Sequence, residues 1–303
     1  MTFWTLFSDY TFQVVALGSA LLGLLSGVIG SFAVLRKQSL LGDAVSHAAL
    51  PGICLAFMIT NIKQTEVLLI GALISGLVAT WLIMSIVKYS KIKFDSALAL
   101  ITSVFFGLGM VFLTYIQKTP DANQAGLKSF IFGQSSTLLV GDVKWMLGIG
   151  MIILVLIFLF WKEFKLIAFD EVFAKSIGVP VHGISILLSG MTVVTIIIGL
   201  QTVGVILMSS LLIGPAVAAR QWTNRLAVMV SLAAVFGGVS GVLGTVISSL
   251  GKQIPTGPTI VVVISVIVLI SLVIAPNRGM LWKLKQRRRQ KKALTIRLNQ
   301  GGD

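Results

Sequence analysis

The feature that most constrains this chain is a series of runs of about 20 residues nearly free of charge, set between short clusters of Lys and Arg. Each run is long enough to cross the roughly 30 Å hydrocarbon core of a bilayer as a helix. Lipid offers the backbone no hydrogen-bond partner, so a chain built this way is expected to be helical throughout. The runs span Phe12 to Leu35, Asp43 to Thr60, Val67 to Val87, Ser96 to Ile116, Val143 to Trp161, Gly183 to Leu200, Val203 to Ala219, Leu226 to Leu250 and Pro258 to Ala275. The seventh is short, closes on Gly214-Pro215 and is parted from the sixth only by Gln201-Thr202, so the expectation is an all-α polytopic membrane protein of eight or nine spans. Composition agrees: 56% of the 303 residues are hydrophobic and 11% charged, where a soluble domain carries about a quarter charged residues.

The formal charge of +14 raises the question of nucleic acid, and position answers it. Nine of the 24 basic residues follow Pro276 and the rest punctuate the neutral runs, with no aromatic-interleaved basic face or nucleic-acid motif. Placing Arg36, Lys37, Lys88, Lys91, Lys93, Lys162, Lys165, Lys175, Arg220, Arg225 and the tail on one side gives 19 basic residues there against five opposite. The richer side is expected to be cytoplasmic, which puts the N-terminus outside, if the spans number nine, and the C-terminus inside. Met1 to Gln13 carries only Asp9 as a charge, so the first run is read as a retained span rather than a cleaved signal. Residues 1–276 form the membrane domain. Residues 277–303 form a basic cytoplasmic tail with affinity for anionic lipid.

Almost nothing ionises within the runs except at Asp43 and His47. Four residues apart, they share a helical face. A carboxylate in a span is costly, by about 2.5–3.5 kcal/mol at its centre, and marks function by default; carboxylate with imidazole suits Mn, Fe or Zn. The competing reading is that Asp43 only caps a helix after Gly42, with His47 packed and hydrogen-bonded. Two ligands do not complete a metal site, but two copies about a dyad would supply four. Cys54, the single cysteine, lies seven residues past His47 and reads as a small hydrophobe. His182 reads as a solvated loop residue, and Asp95 as a helix cap.

The longest cytoplasmic connection, about 163–183, reads as one short amphipathic helix. Asp170 and Glu171 fall in its first turn, Phe169, Phe173 and Ile177 on one face, and Gly178 at its stop. Such a segment serves a partner or lies on lipid. Gly23 and Gly27, like Gly237 and Gly241, are four apart and suit close helix packing within the chain or between subunits. The outer connection from Gln117 to Asp142 holds the apolar run from Phe130 to Gly133, a candidate docking or gating segment. No G-x-x-x-x-G-K-[ST] loop occurs, so the chain does not harvest ATP through that motif, and no protease motif is present.

Three stretches in order resemble the manganese/zinc/iron ABC permease family: Ser39 to Gly52 (S-L-L-G-D-A-V-S-H-A-A-L-P-G), Phe169 to Pro180, and Gln201 to Leu207 with Leu212 to Ala216. The likeness runs from about Phe12 to Pro276. It implies an importer-type permease with no permanently bound cofactor, a separate ATPase engaging Phe169 to Gly178, and an extracellular metal-binding lipoprotein. It also implies a second permease copy or paralogue, and a translocation path whose metal ligands match Asp43 and His47. The cargo it implies is Mn2+, with Zn2+ or Fe2+ as alternatives. Two other classes stay open on the residues alone. One is a proton- or sodium-coupled secondary transporter with Asp43 as relay; the other is a membrane scaffold that moves nothing.

Overall fold

The structure, a computed structural model, describes residues 9–61, 64–118, 138–251, 254–276, 279–280 and 282. Eleven helices occur among them: α1 (Tyr10–Leu35), α2 (Leu41–Thr60), α3 (Thr65–Tyr89), α4 (Phe94–Lys118), α5 (Val140–Leu159), α6 (Trp161–Phe169), α7 (Glu171–Ser176), α8 (Val181–Val203), α9 (Val205–Trp222), α10 (Leu226–Leu250) and α11 (Thr256–Ile274). Eight of them (α1 to α5, α8, α10 and α11) are long and apolar enough to cross a membrane. The outer run Phe130 to Gly133 and nearly all of the tail 277–303 lie outside the described residues.

The neutral runs locate the helices to within a turn, and most helices extend a little past them. Asp9 accepts the Thr11 N–H at 2.9 Å and starts α1 two residues early, and Lys88 falls inside the last turn of α3. The expected break at Gln201-Thr202 is displaced: α8 runs through both residues and stops at Gly204, whose φ of +85° suits only glycine. The chain reverses there. Val203 meets Gly257, Gly214 meets Ile264, and Trp222 Nε1 donates to Ser271 Oγ at 3.0 Å, so α9 runs the length of α11.

Without a hydrophobic force between helices in lipid, close contact is set by small residues. Gly23 lies on the backbone of Gly237, Gly27 on that of Ala233, and Gly241 on that of Ser19, so α1 and α10 touch main chain to main chain. Gly30 meets the Leu212 carbonyl of α9. Gly52 of α2 and Gly71 of α3 meet in the same manner, and Ser75 donates to the Ala48 carbonyl at 2.6 Å. One group of helices, α1, α9, α10 and α11, thus joins a second, α2, α3 and α4, with α8 contacting both. The outer faces carry bare Leu, Val and Phe side chains such as Val111, Val155, Phe158, Val262 and Leu269, the exterior of a protein solvated by hydrocarbon.

Candidate metal-translocation and coupling sites

Asp43 stands in the first turn of α2, three residues past the N-cap position at Leu40. Its Oδ1 lies 3.5 Å from His47 Nε2, so the carboxylate faces the imidazole one turn on. Gly42 lets this turn abut α9, where a side-chain carbon would run into Leu212 and Ser209. Leu212 is ten residues short of Trp222, or about 15 Å along the helix. The pair therefore sits level with the middle of α9 rather than with its basic end.

Around His47, Phe106 of α4 packs edge-on with ring centroids 4.9 Å apart. The Nδ1 atom is buried without a hydrogen-bond partner. The pair stays open on one side, the Asp43 side chain 45% and the His47 side chain 23% exposed. Pro51, inside α2, has no N–H to give the carbonyl of residue 47, four back, so that oxygen lacks its usual helical donor. That oxygen is a feature reading the side chains alone overlooks, though the H-x-x-x-P spacing announces it. No group of three or more His, Cys, Asp or Glu suited to a metal occurs among the described residues. Cys54 is fully buried and turned to α4, its Sγ 3.8 Å from the Gly109 carbonyl.

The connection between α5 and α8 differs from the single helix expected. It holds two, α6 and α7, because Asp170 adopts an extended conformation (φ −150°, ψ 96°) and its carboxylate accepts the Phe173 N–H at 2.9 Å. Phe169 closes α6, whereas Phe173 belongs to α7 and Ile177 is its C-cap. All three aromatic or aliphatic side chains are more than half exposed, at 59%, 52% and 53%, while Ala174 between them is buried. Glu171 opens α7, and Gly178, at φ +85°, takes the sharp bend before Val181. His182 is in the first turn of α8 rather than in a loop, and Asp95 lies in the first turn of α4, which starts at Phe94.

The module is fixed to the bundle through α1. Phe32, fully buried, meets Trp161 edge-on at 6.0 Å and Phe164 at 5.8 Å. Arg36 donates to Ser185 Oγ of α8 at 2.9 Å. Burial draws the Arg36 pKa down, and the charge of Glu171 on α7 opposes that. Asp142 joins the opposite end, accepting from Leu139 N and from Gln201 Nε2, each at 3.0 Å.

The chain is 51% identical over 284 residues, 94% of its own length and 95% of the other's, to the zinc transport system membrane protein TroC of Treponema pallidum. It is 48% identical over 268 residues to the manganese transport system membrane protein MntC of Bacillus subtilis, covering 88% of this chain and 62% of that one. Its fold superposes on a chain of PsaBC from Streptococcus pneumoniae, solved in complex with Fab, with a TM-score of 0.79 and 33% identity, over 91% of this chain and 96% of that one. The ABC 3 transport family matches over residues 8–275, and the chain belongs to that family.

Proposed function

We propose that the chain is the membrane-spanning permease of an ABC importer that carries a divalent transition metal inward, with a partner subunit hydrolysing ATP and an extracellular lipoprotein delivering the cargo. Among Mn2+, Zn2+ and Fe2+, the carboxylate and imidazole favour no single ion, and the related proteins are named for zinc and for manganese. The observation that carries the reading is the Asp43–His47 pair itself. It is an oxygen and a nitrogen ligand at mid-depth, open on one side. An open pair of two ligands binds weakly enough to release an ion, and a second permease, copy or paralogue, facing it across an axis supplies the rest of the shell. The metal's charge offsets the desolvation of the carboxylate.

Ten of the twelve described Lys and Arg residues lie at the end of the bundle that holds Arg36, Lys88 and Arg225. This supports placing that end in the cytoplasm, with α6 and α7 where an ATPase can reach them. Exposed Phe169, Phe173 and Ile177 are then the contact surface, and Phe32, packed on Trp161 and Phe164, carries displacement of α6 to α1.

Proteoliposomes decide between this mechanism and a secondary transporter that uses Asp43 as a proton or sodium relay. Metal uptake is expected only with the ATPase subunit present and ATP on its side. Uptake by the permease alone, driven by a proton or sodium gradient, overturns the importer reading.

A further inference from the structure

A cavity of about 260 Å³ opens between the basic-end halves of α3 and α8, at least 30 residues in sequence from the Asp43–His47 pair and lined by neither member of it. Its rim carries Lys88, Tyr89 and His182, with the Lys88 ammonium 5.2 Å from the centre of the Tyr89 ring. About two turns deeper it is lined by Trp81 and Ser189. Among the described residues no acidic side chain lines it. Trp81 is 65% and Tyr89 80% exposed, so the cavity is open sideways, toward lipid. Ser189 is 3% exposed and its hydroxyl has no hydrogen-bond partner. Most other buried Ser and Thr hydroxyls in this bundle, such as those of Thr192 and Thr195, donate to a carbonyl of their own helix. A buried hydroxyl left without a partner costs about 1–3 kcal/mol, and Ser189 is among the residues that line the cavity.

We propose that this cavity binds one anionic phospholipid of the leaflet bordering the basic end, with its phosphate between Lys88 and His182 and its glycerol-ester oxygens within reach of Ser189. The chemistry is graded along the depth in the order a phospholipid presents it: cation and imidazole N–H at the rim, a hydroxyl donor below, then Leu77 and Trp81 for the first methylenes. Aromatic rings at this level are the usual anchors at a membrane–water boundary, and basic cavities between helices on the cytoplasmic side recognise anionic headgroups. A free phosphate would engage the rim alone and leave Ser189 unpartnered. The proposal rests on the chain being membrane-spanning and not on transport, so its failure leaves the importer reading standing.

The test is lipid binding by the purified full-length chain, followed by native mass spectrometry. Phosphatidylglycerol, phosphatidylcholine of the same acyl chains and inorganic phosphate are each titrated. Phosphatidylglycerol is expected to bind at one site more tightly than phosphatidylcholine. Lys88→Gln should weaken it about fivefold, the effect of one cation near the surface, while Lys88→Arg retains it. Ser189→Leu, which fills the deep part, should abolish this one site and leave only the weaker preference of the basic tail, in a protein that still elutes as a single monodisperse species. Lipid held by the basic tail is common to all variants and cancels in the comparison. Equal retention of the two lipids by the wild type, or an unchanged affinity in both Lys88→Gln and Ser189→Leu, overturns the proposal. So does inorganic phosphate binding as tightly as phosphatidylglycerol and insensitively to Ser189→Leu, which makes the rim a soluble-anion site. Loss of the ATPase subunit in Lys88→Gln with lipid binding intact makes the rim a protein contact and overturns it equally.

Discussion

At Asp43 and His47 the distinction between a helix cap and a metal ligand becomes a matter of where one carboxylate points. The N-cap position is Leu40, and the Asp43 oxygen faces the imidazole at 3.5 Å. Asp43→Asn preserves shape and hydrogen bonding but removes the charge, and should cut metal uptake at least tenfold while leaving membrane insertion and ATPase assembly intact. His47→Ala should do the same. Near-normal uptake by both in whole cells removes the pair from the path. A ligating imidazole gives its ring nitrogen lone pair to the metal, so His47→Ala should also lower the metal affinity of the purified permease. The spacing of Asp43 and His47 was legible in the sequence because a helix in lipid leaves little freedom. The inward turn of Cys54 toward Gly109 was not, since seven residues make two turns only approximately and the close approach of α4 decides the face.

Between α5 and α8 a single residue divides one expected helix into two. Hydrophobic spacing shows that a short amphipathic element is present, but not that Asp170 leaves the helix to cap the next one. The residues of α6 before it, Trp161 and Phe164, are held by Phe32, a contact distant in sequence that no local pattern announces. Phe173→Ala removes an exposed aromatic anchor, which at an interface centre costs about 2 kcal/mol or more. It should reduce co-purification of the ATPase or uncouple hydrolysis from uptake, and retention of both functions would place α7 on the lipid surface. The α1–α10 contact offers a test of a different kind. A Val at residue 237 drives a side chain into the backbone of Gly23 and should destabilise the fold by about 1–3 kcal/mol or more. Gly148→Ala meets nothing within 4 Å and should leave the thermal transition in detergent unchanged.

For the molecule as a whole, membrane placement was the most legible property, because lipid demands long neutral helices and the basic clusters mark their ends. How the helices neighbour one another was not legible, since main-chain contact at Gly23, Gly27, Gly237 and Gly241 depends on pairs far apart in sequence. Orientation is tested with single cysteines on a Cys54→Ala background. A cysteine at Leu139, 70% exposed at the less basic end, should react with a membrane-impermeant maleimide in intact cells. One at Lys91, exposed at the basic end, should react only after lysis, and labelling of residue 91 in intact cells reverses the topology. The main-chain contact of α1 with α10 also bears on how the protein is made. Gly23 and Gly237 stand 214 positions apart, so at ~5–20 residues per second a ribosome needs roughly 10–40 s to deliver the second helix after the first. Through that interval α1 waits in the bilayer with its glycine groove uncovered, and any chain interrupted before α10 presents that groove to the membrane's quality-control proteases.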